Sequence, residues 1–506
     1  MPLIVEPCDP RLSRLPRSHS ILHSLRQMCA LVAMLLLTLT LSLALTLGLG
    51  QAQAQTMSAP PGTPSLDRSL TNGLRVLVFE DRRAPTALHM MFVRAGSIDE
   101  TTGRTGLAHV LEHMMFKGTE TLKPGEFSKR VSALGGRENA FTTREYTGYF
   151  QQVHRDAVFE VMSLEADRMQ RLRFSDEEFK KEIQVVMEER RLRTEDSPTG
   201  LAYEALMATA FQAHPVRNPI IGWMSDLQSL TADDARDWYQ RWYGPNYATL
   251  IVAGDVDPEA VFAHAQKIYG GWQPKPAVDQ RPQTEPAQIG QRLAKVRAPA
   301  ENPFFILSWR APTLTAIDGP LRPENAKARE VVALAMLSTL LDDSDTGMLV
   351  IDLVRSRKLA VSVDAGTDGI TRGPGLFTIQ ATPSPGVAPT QLQDEIRKAL
   401  QEIVRSGVSE KEITRLRRQA KAGQVYQQDS IFSRAMQAGR LAIIGRPTQD
   451  VADWLGMLDT ITSEDLQRAA AAVFVPERLT VIELEPTNPD AQPGPRQGFG
   501  PAVIRH

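Results

Sequence analysis

The sequence predicts an α+β protein made of two similar domains. At 506 residues the chain exceeds what one hydrophobic core usually supports. Strand-like and helix-like stretches alternate on both sides of a polar, proline-rich segment, QPKPAVDQRPQTEPAQIG (273 to 290). The two flanking units are mixed and of similar size, which suggests a duplicated fold, although no simple sequence repeat is visible. Hydrophobic residues form 42% and charged residues 23% of the chain, ordinary values for a globular protein. A formal net charge of -2 leaves no electrostatic footprint for nucleic acid.

The N-terminus departs from this average. Arg11, Arg14, Arg17 and Arg26 precede an apolar run, CALVAMLLLTLTLSLALTLGLG (29 to 50), followed by QAQAQ. With the small-x-small site Ala52-Gln53-Ala54, this reads as a secretory signal peptide cut before Gln55. The run, about 22 residues, is also long enough to span a bilayer, so an uncleaved inner-membrane anchor is the competing reading. Glu6 and Asp9 argue against a mitochondrial transit peptide, and Met28 is a candidate start. Residues 1–54 are therefore expected to direct export to the periplasm. Both cysteines, Cys8 and Cys29, lie in or before that segment. The exported chain would have none, which excludes disulfides and thiolate chemistry and leaves His and carboxylate as metal ligands.

Residues 55–66 close a Pro/Ala/Gln-rich linker. Across 67–272, LRVLVFED, TALHMMFVRAG and YATLIVAGDVDP read as strands, with amphipathic helical stretches between them. A second linker is assigned to 273–299. The second unit, 300–486, opens on the strand PFFILSWRAPTL and continues through helices at 326–342, 389–406 and 409–422. It ends on the strand LTVIELEP, and the Pro/Gly-rich tail 487–506 reads as disordered.

The chemistry concentrates in GLAHVLEHMMFKGTE (106 to 120). On a helix, positions i and i+4 share a face, so His109 and His113 can bind one ion. Glu112 can reach a water on that ion without being a ligand, the inverse of HExxH with the same logic. A zinc ion with an open position lowers the pKa of its water to about 7, and the glutamate relays the proton to the leaving amine. The pattern arises by chance in roughly one chain of this length per hundred. A third, oxygen ligand is therefore the deciding observation.

The segment SDEEFKKEIQVVMEERRLRTED supplies candidates. Ser175 and Glu178 make a capping box that starts a helix expected over 176–195, with Pro198 just past its end. Glu182 and Glu189 are two turns apart and share a face to within about 20°. One can bind metal while the other orients a histidine. Without HVLEH nearby, the same charges would read as a solvated face.

Five segments in order, GLAHVLEHMMFKGTE, GGRENAFTTREYTGYFQQV (135 to 153), EIQVVMEERR (182 to 191), HPVRNPIIGW (214 to 223) and WYGPNYATLIVAGDVDP (242 to 258), resemble the pitrilysin-type (M16, inverzincin) zinc peptidases. The bacterial and mitochondrial processing-peptidase branch is the nearest match, and the second half follows the family layout more loosely. The resemblance implies one Zn2+ per chain held by His109, His113 and Glu189, with Glu112 as general base and Glu182 in support. Glu188 is the neighbour that a one-residue gap would select instead of Glu189. Asn139, Ala140, Phe141 and Thr142 resemble the family's substrate-binding edge strand, to which an extended peptide adds by main-chain hydrogen bonds. The implied fold has a mostly antiparallel sheet in each domain, with helices packed on one side. By the same resemblance the second domain would be inactive, and the two domains would form one half of a clam-shaped chamber.

In the family, the opposite half supplies an arginine and a tyrosine, seven residues apart in a segment like LR-x-x-x-G-L-A-Y-S-V, that stabilise the oxyanion. The corresponding stretch here is VRSRKLAVSV (354 to 363). Aligning LAVSV puts Val361 at the tyrosine and Val354 at the arginine, with Arg355 one position off, and valine has no donor. The expectation is a heterodimer in which a related subunit supplies Arg and Tyr to this chain's zinc site. The activity expected is endopeptidase cleavage of peptides or unfolded polypeptides in an enclosed chamber. The alternative is a non-catalytic structural or peptide-binding subunit, against which the intact His109, Glu112, His113 and Glu189 argue. His154, His214 and His264 are isolated, His214 reads as structural, and His89 as core or rim.

Overall fold

The computed structural model describes residues 62–279, 283–343 and 345–487. The expected signal peptide or anchor, most of the first linker and the tail from 488 lie outside the described residues. Among the described residues, no helix is long and apolar enough to cross a membrane.

The first sheet contains β1 (Leu66–Ser69), β2 (Arg75–Glu80), β3 (Thr86–Val93), β4 (Arg137–Thr142), β5 (Thr147–His154) and β6 (Ala248–Gly254). Their order is β1-β2-β6-β3-β5-β4, antiparallel except for the β2/β6 pair. The second sheet contains β7 (Arg292–Ala298), β8 (Phe304–Ala311), β9 (Ala360–Thr367), β10 (Gly375–Pro383) and β11 (Leu479–Pro486), in the order β7-β11-β8-β10-β9. Only β7/β11 is parallel there. With β1 set aside, the two sheets have one topology, with the parallel pair in the same place. The duplication invisible as a sequence repeat is thus written in the strand order. One boundary needs correction: β7 lies inside the 273–299 assigned to linker. Its burial alternates between half-buried and exposed along most of its length, because it is an edge strand, so no apolar run announced it.

The longer helices of the first half are α1 (Leu107–Met114), α2 (Glu126–Ala133), α3 (Val158–Arg171), α4 (Asp176–Arg190), α5 (Pro198–Ala210), α6 (Ala232–Trp242) and α7 (Pro258–Tyr269). The second carries α8 (Ala326–Leu341), α9 (Pro389–Ser406), α10 (Glu410–Asp429), α11 (Ile431–Ile444), α12 (Asp450–Thr460) and α13 (Ser463–Val473). Successive residues of a strand face opposite sides of its sheet. Val76 and Val78 accordingly pack with Val110, Val161, Val186 and Trp238 of the first half's own helices. Leu77 and Phe79 point the other way, into a second core with Phe92, Phe141 and Ile251 that is closed by Ala435, Ala438 and Ile444 of α11. The exchange is mutual. Helix α5 of the first half places Ala202, Leu206 and Ala210 against Ile306, Leu376 and Ile482 of the second sheet. Each half therefore stacks its own helices on one side of its sheet and lends one helix to the far side of the other.

The borrowed helix α11 sits close. A Cβ at Gly439 would lie 2.1 Å from the Phe92 ring. Its start is fixed by charge: Arg434 and Arg83 both pair with Asp81, and Arg83 Nη1 also reaches Asp429 Oδ1 at 3.0 Å. The hydrogen bond from Arg83, with Arg434 nearby, outweighs burial and holds the Asp81 carboxyl down at about 2.

Two outcomes follow from this packing. Gly439→Val should cost about 1–3 kcal/mol of stability by forcing α11 off Phe92, read from the urea midpoint. Asp81→Asn should cost about 1–2 kcal/mol at pH 7, since the exposed part of the network is screened. Because the folded pKa is depressed, that contribution is present above about 3.9 and lost as pH falls towards 2. Urea midpoints of variant and parent should converge over that window.

Candidate metal centre

Helix α1 has eight residues, and all of them are buried. A helix this short is marginal on its own and is held by its surroundings. Val110, Leu111 and Met114 anchor it in the first core. Glu100 caps it, accepting from the backbone N–H groups of Gly106 and Ala108 at 2.8 Å each. Gly106 takes a φ of 87°, and a Cβ there would lie 2.5 Å from Ile221 O. The glycine is required on both counts. Gly222, from the HPVRNPIIGW segment, abuts the same point, and Thr105 beside it bonds Asp226 and the Trp223 N–H.

Helix α4 begins at the expected Ser175/Glu178 capping box and runs past α1. It ends earlier than expected as an α-helix: residues 191–195 continue it as a π-helical turn. Residues His109, His113 and Glu189 bring one ligand atom each to within 4.8 Å of one another. Glu189 Oε2 lies 3.3 Å from His113 Nε2 and 3.7 Å from His109 Nε2, and Arg193 Nη1 holds the other carboxylate oxygen at 2.8 Å. Glu188 points away; its side chain is 72% exposed and pairs with Arg191. Glu182 Oε1 meets His113 Nδ1 at 2.9 Å, while its Oε2 pairs with Lys117 Nζ at 2.6 Å. Glu112 is fully buried on the same helix and accepts from the Thr142 hydroxyl.

The donor set fits a divalent metal. Glu182 can only accept, so His113 Nδ1 carries a proton, and the neutral ring then turns a lone pair on Nε2 towards Glu189. Two acceptors facing across 3.3 Å need a proton or a cation between them. Without an ion the ring takes the proton: burial opposes it, but the bonds to Glu182 and Glu189 prevail and lift the imidazole to about 9. Burial also opposes charge on Glu189, yet His113, His109 and Arg193 hold it down at about 2, so it is ionised. Two imidazoles and a carboxylate suit zinc among the common ions.

Among the described residues strand β4 is an edge of its sheet, and Asn139, Ala140 and Phe141 lie on it. Phe141 packs in the core under α11, whereas Ala140 faces the α1 side. The Ala140 N–H donates to Asn139 Oδ1 at 2.9 Å. In the second half, Val354 packs against that half's core and Val361 is 47% exposed on β9. Arg355 pairs with Asp345 on the surface. The other histidines have local roles: His89 is buried against Gln151, His214 Nδ1 accepts from the Val216 N–H, and His264 bonds Phe159 O. The sequence singles out neither Lys117 nor Arg193 for this site, and it marks Thr142 only as part of the substrate-binding edge strand. Arg193 is four residues beyond Glu189, a spacing that signals the pair, whereas Lys117 lies past the end of α1 and reaches Glu182 only through the fold.

Known proteins agree with this architecture. Residues 75–223 match the family model described as Insulinase (Peptidase family M16), and residues 229–420 match that of the Peptidase M16 inactive domain. The zinc protease PqqE of Helicobacter pylori is 30% identical over 425 residues, 83% of this chain and 92% of that protein. A probable mitochondrial-processing peptidase subunit beta of Arabidopsis thaliana is 25% identical over 431 residues, 83% of this chain and 78% of that one. The crystal structure of a protease from Helicobacter pylori superposes with a TM-score of 0.77 at 28% identity, covering 84% of this chain and all of that one. The chain belongs to peptidase family M16, a family whose relatives here are named zinc proteases.

Proposed function

We propose that this chain is the zinc-bearing catalytic subunit of an exported, periplasmic metalloendopeptidase that cleaves peptides or unfolded polypeptides in an enclosed chamber. The observation that carries this reading is the convergence of His109, His113 and Glu189, with Glu112 buried on the same helix. His109, His113 and Glu189 would hold the ion, and Glu182 fixes the His113 tautomer. Zinc in such a set acts as a Lewis acid and lowers the pKa of water to about 7. Glu112 is the general base: it takes the proton of the attacking water and returns it to the leaving amine. The edge of β4 at Asn139, Ala140 and Phe141 receives the extended peptide by main-chain pairing.

A related subunit completes the site. Val354 and Val361 offer no donor where the family's arginine and tyrosine stand, so a homodimer would leave each chamber without oxyanion stabilisation. A heterodimer with an Arg/Tyr-bearing partner supplies it.

Glu112→Gln should abolish cleavage of a quenched peptide, a loss of at least about 10²-fold, while zinc content stays unchanged. Surviving hydrolysis would refute the mechanism. Glu182→Ala should weaken zinc affinity about 10–100-fold in a competition titration with a chelator. Mixing the chain with a relative that carries the Arg/Tyr pair should produce activity absent from either alone. Full activity of this chain by itself would refute the heterodimer.

A further inference from the structure

The base carboxylate is held by a residue on the strand to which the peptide would add. Thr142 is the last residue of β4, directly opposite Thr147 of β5. It is 6% exposed, and its hydroxyl donates to Glu112 Oε2. Thr147 commits its own proton to Ala95 O at 2.9 Å, so the Thr142 hydroxyl is left to serve the carboxylate. A β-branched side chain in a strand has little χ1 freedom, and the donor direction is set by the backbone. That backbone is itself clamped. The turn after Thr142 is gripped by Arg372 of the second half, which reaches Glu145 O at 2.7 Å and both carboxylate oxygens of Asp99 at 2.7 and 2.9 Å. Asp99 in turn accepts from the Gly96 N–H, and the Ile98 N–H bonds Arg144 O in the same turn.

We propose that Thr142 is a positioning residue for Glu112, coupling the seating of a peptide on β4 to the alignment of the base. This rests on the peptidase reading above. Ala140 and Thr142 point to the α1 side of the sheet, two residues apart on one strand. A peptide that pairs with β4 lies along the same strand that carries the hydroxyl fixing the carboxylate. The second, inactive half takes part through Arg372, which holds the turn from outside.

The test compares Thr142→Val, which keeps shape and removes the hydroxyl, with Thr142→Ser, which keeps the hydroxyl. Cleavage is measured in the preparation in which the parent chain is active. Thr142→Val should lower kcat on the order of tenfold or more with KM and zinc content near the parent, and Thr142→Ser should restore most of the rate. A second readout needs no turnover. A peptide hydroxamate, whose hydroxyl shares its proton with the base, should bind Thr142→Val about tenfold more weakly by calorimetry, while the matching peptide thiol binds both equally. If Thr142→Val keeps the parent's kcat and hydroxamate affinity, the inference is wrong. It is equally wrong if kcat, zinc content and Tm fall together and serine does not rescue them, because the role is then only structural. A parent chain that neither binds zinc nor cleaves, with or without a partner, would sink the peptidase reading first and this inference with it.

Discussion

Burying His109, Glu112 and His113 on one eight-residue helix is the constraint around which the first half is organised. Ionisable groups out of water are unfavourable unless each finds a partner. Nearly every feature of the site supplies one. Glu182 and Glu189 come from α4, Lys117 and Arg193 neutralise the backs of those carboxylates, and Thr142 reaches Glu112 from β4. The glycines at 106 and 222 let two backbones approach closely enough to pin the helix start. A metal ion bound there would replace the proton that His113 otherwise holds, so the same arrangement that tolerates burial is suited to a cation.

The second half has the same topology without that burden. Its helix α8 occupies the corresponding place between its second and third strands and reads AKAREVVALAMLSTLL, with no histidine. What the second half contributes is support. Helix α11 closes the far face of the first sheet, and the Arg372 loop holds the turn beside the edge strand. Helix α5 returns the favour to the second sheet. Exchanged helices tie the two halves into shared cores, so a loosened second half should be felt at the metal-binding face of the first.

Much of this was legible in the sequence, for physical reasons that differ by element. The strands around 76, 90 and 251 are buried on both faces and announce themselves as apolar runs. The α4 start was readable because Ser175 and Glu178 form a capping box, and the i,i+7 spacing placed Glu182 and Glu189 on one face. Edge strand β7 escaped because its exposed positions break the apolar pattern. The helices between 431 and 473 escaped too: α11 has small residues where it meets Phe92 and the sheet, so no long apolar stripe marks it. Thr142 was legible as part of the edge strand but not as a partner of Glu112, since a hydroxyl's partner depends on which strand lies over which helix.

In the proposed zinc site built from α1 and α4, the third ligand is Glu189 and not its exposed neighbour Glu188. Zinc per chain, measured by elemental analysis after equilibration and gel filtration, tests it directly across the parent, Glu189→Gln and Glu188→Gln. One ion is expected for the parent and for Glu188→Gln, and a large loss for Glu189→Gln. Retention of zinc by Glu189→Gln with loss in Glu188→Gln, or no zinc in the parent, would contradict this assignment.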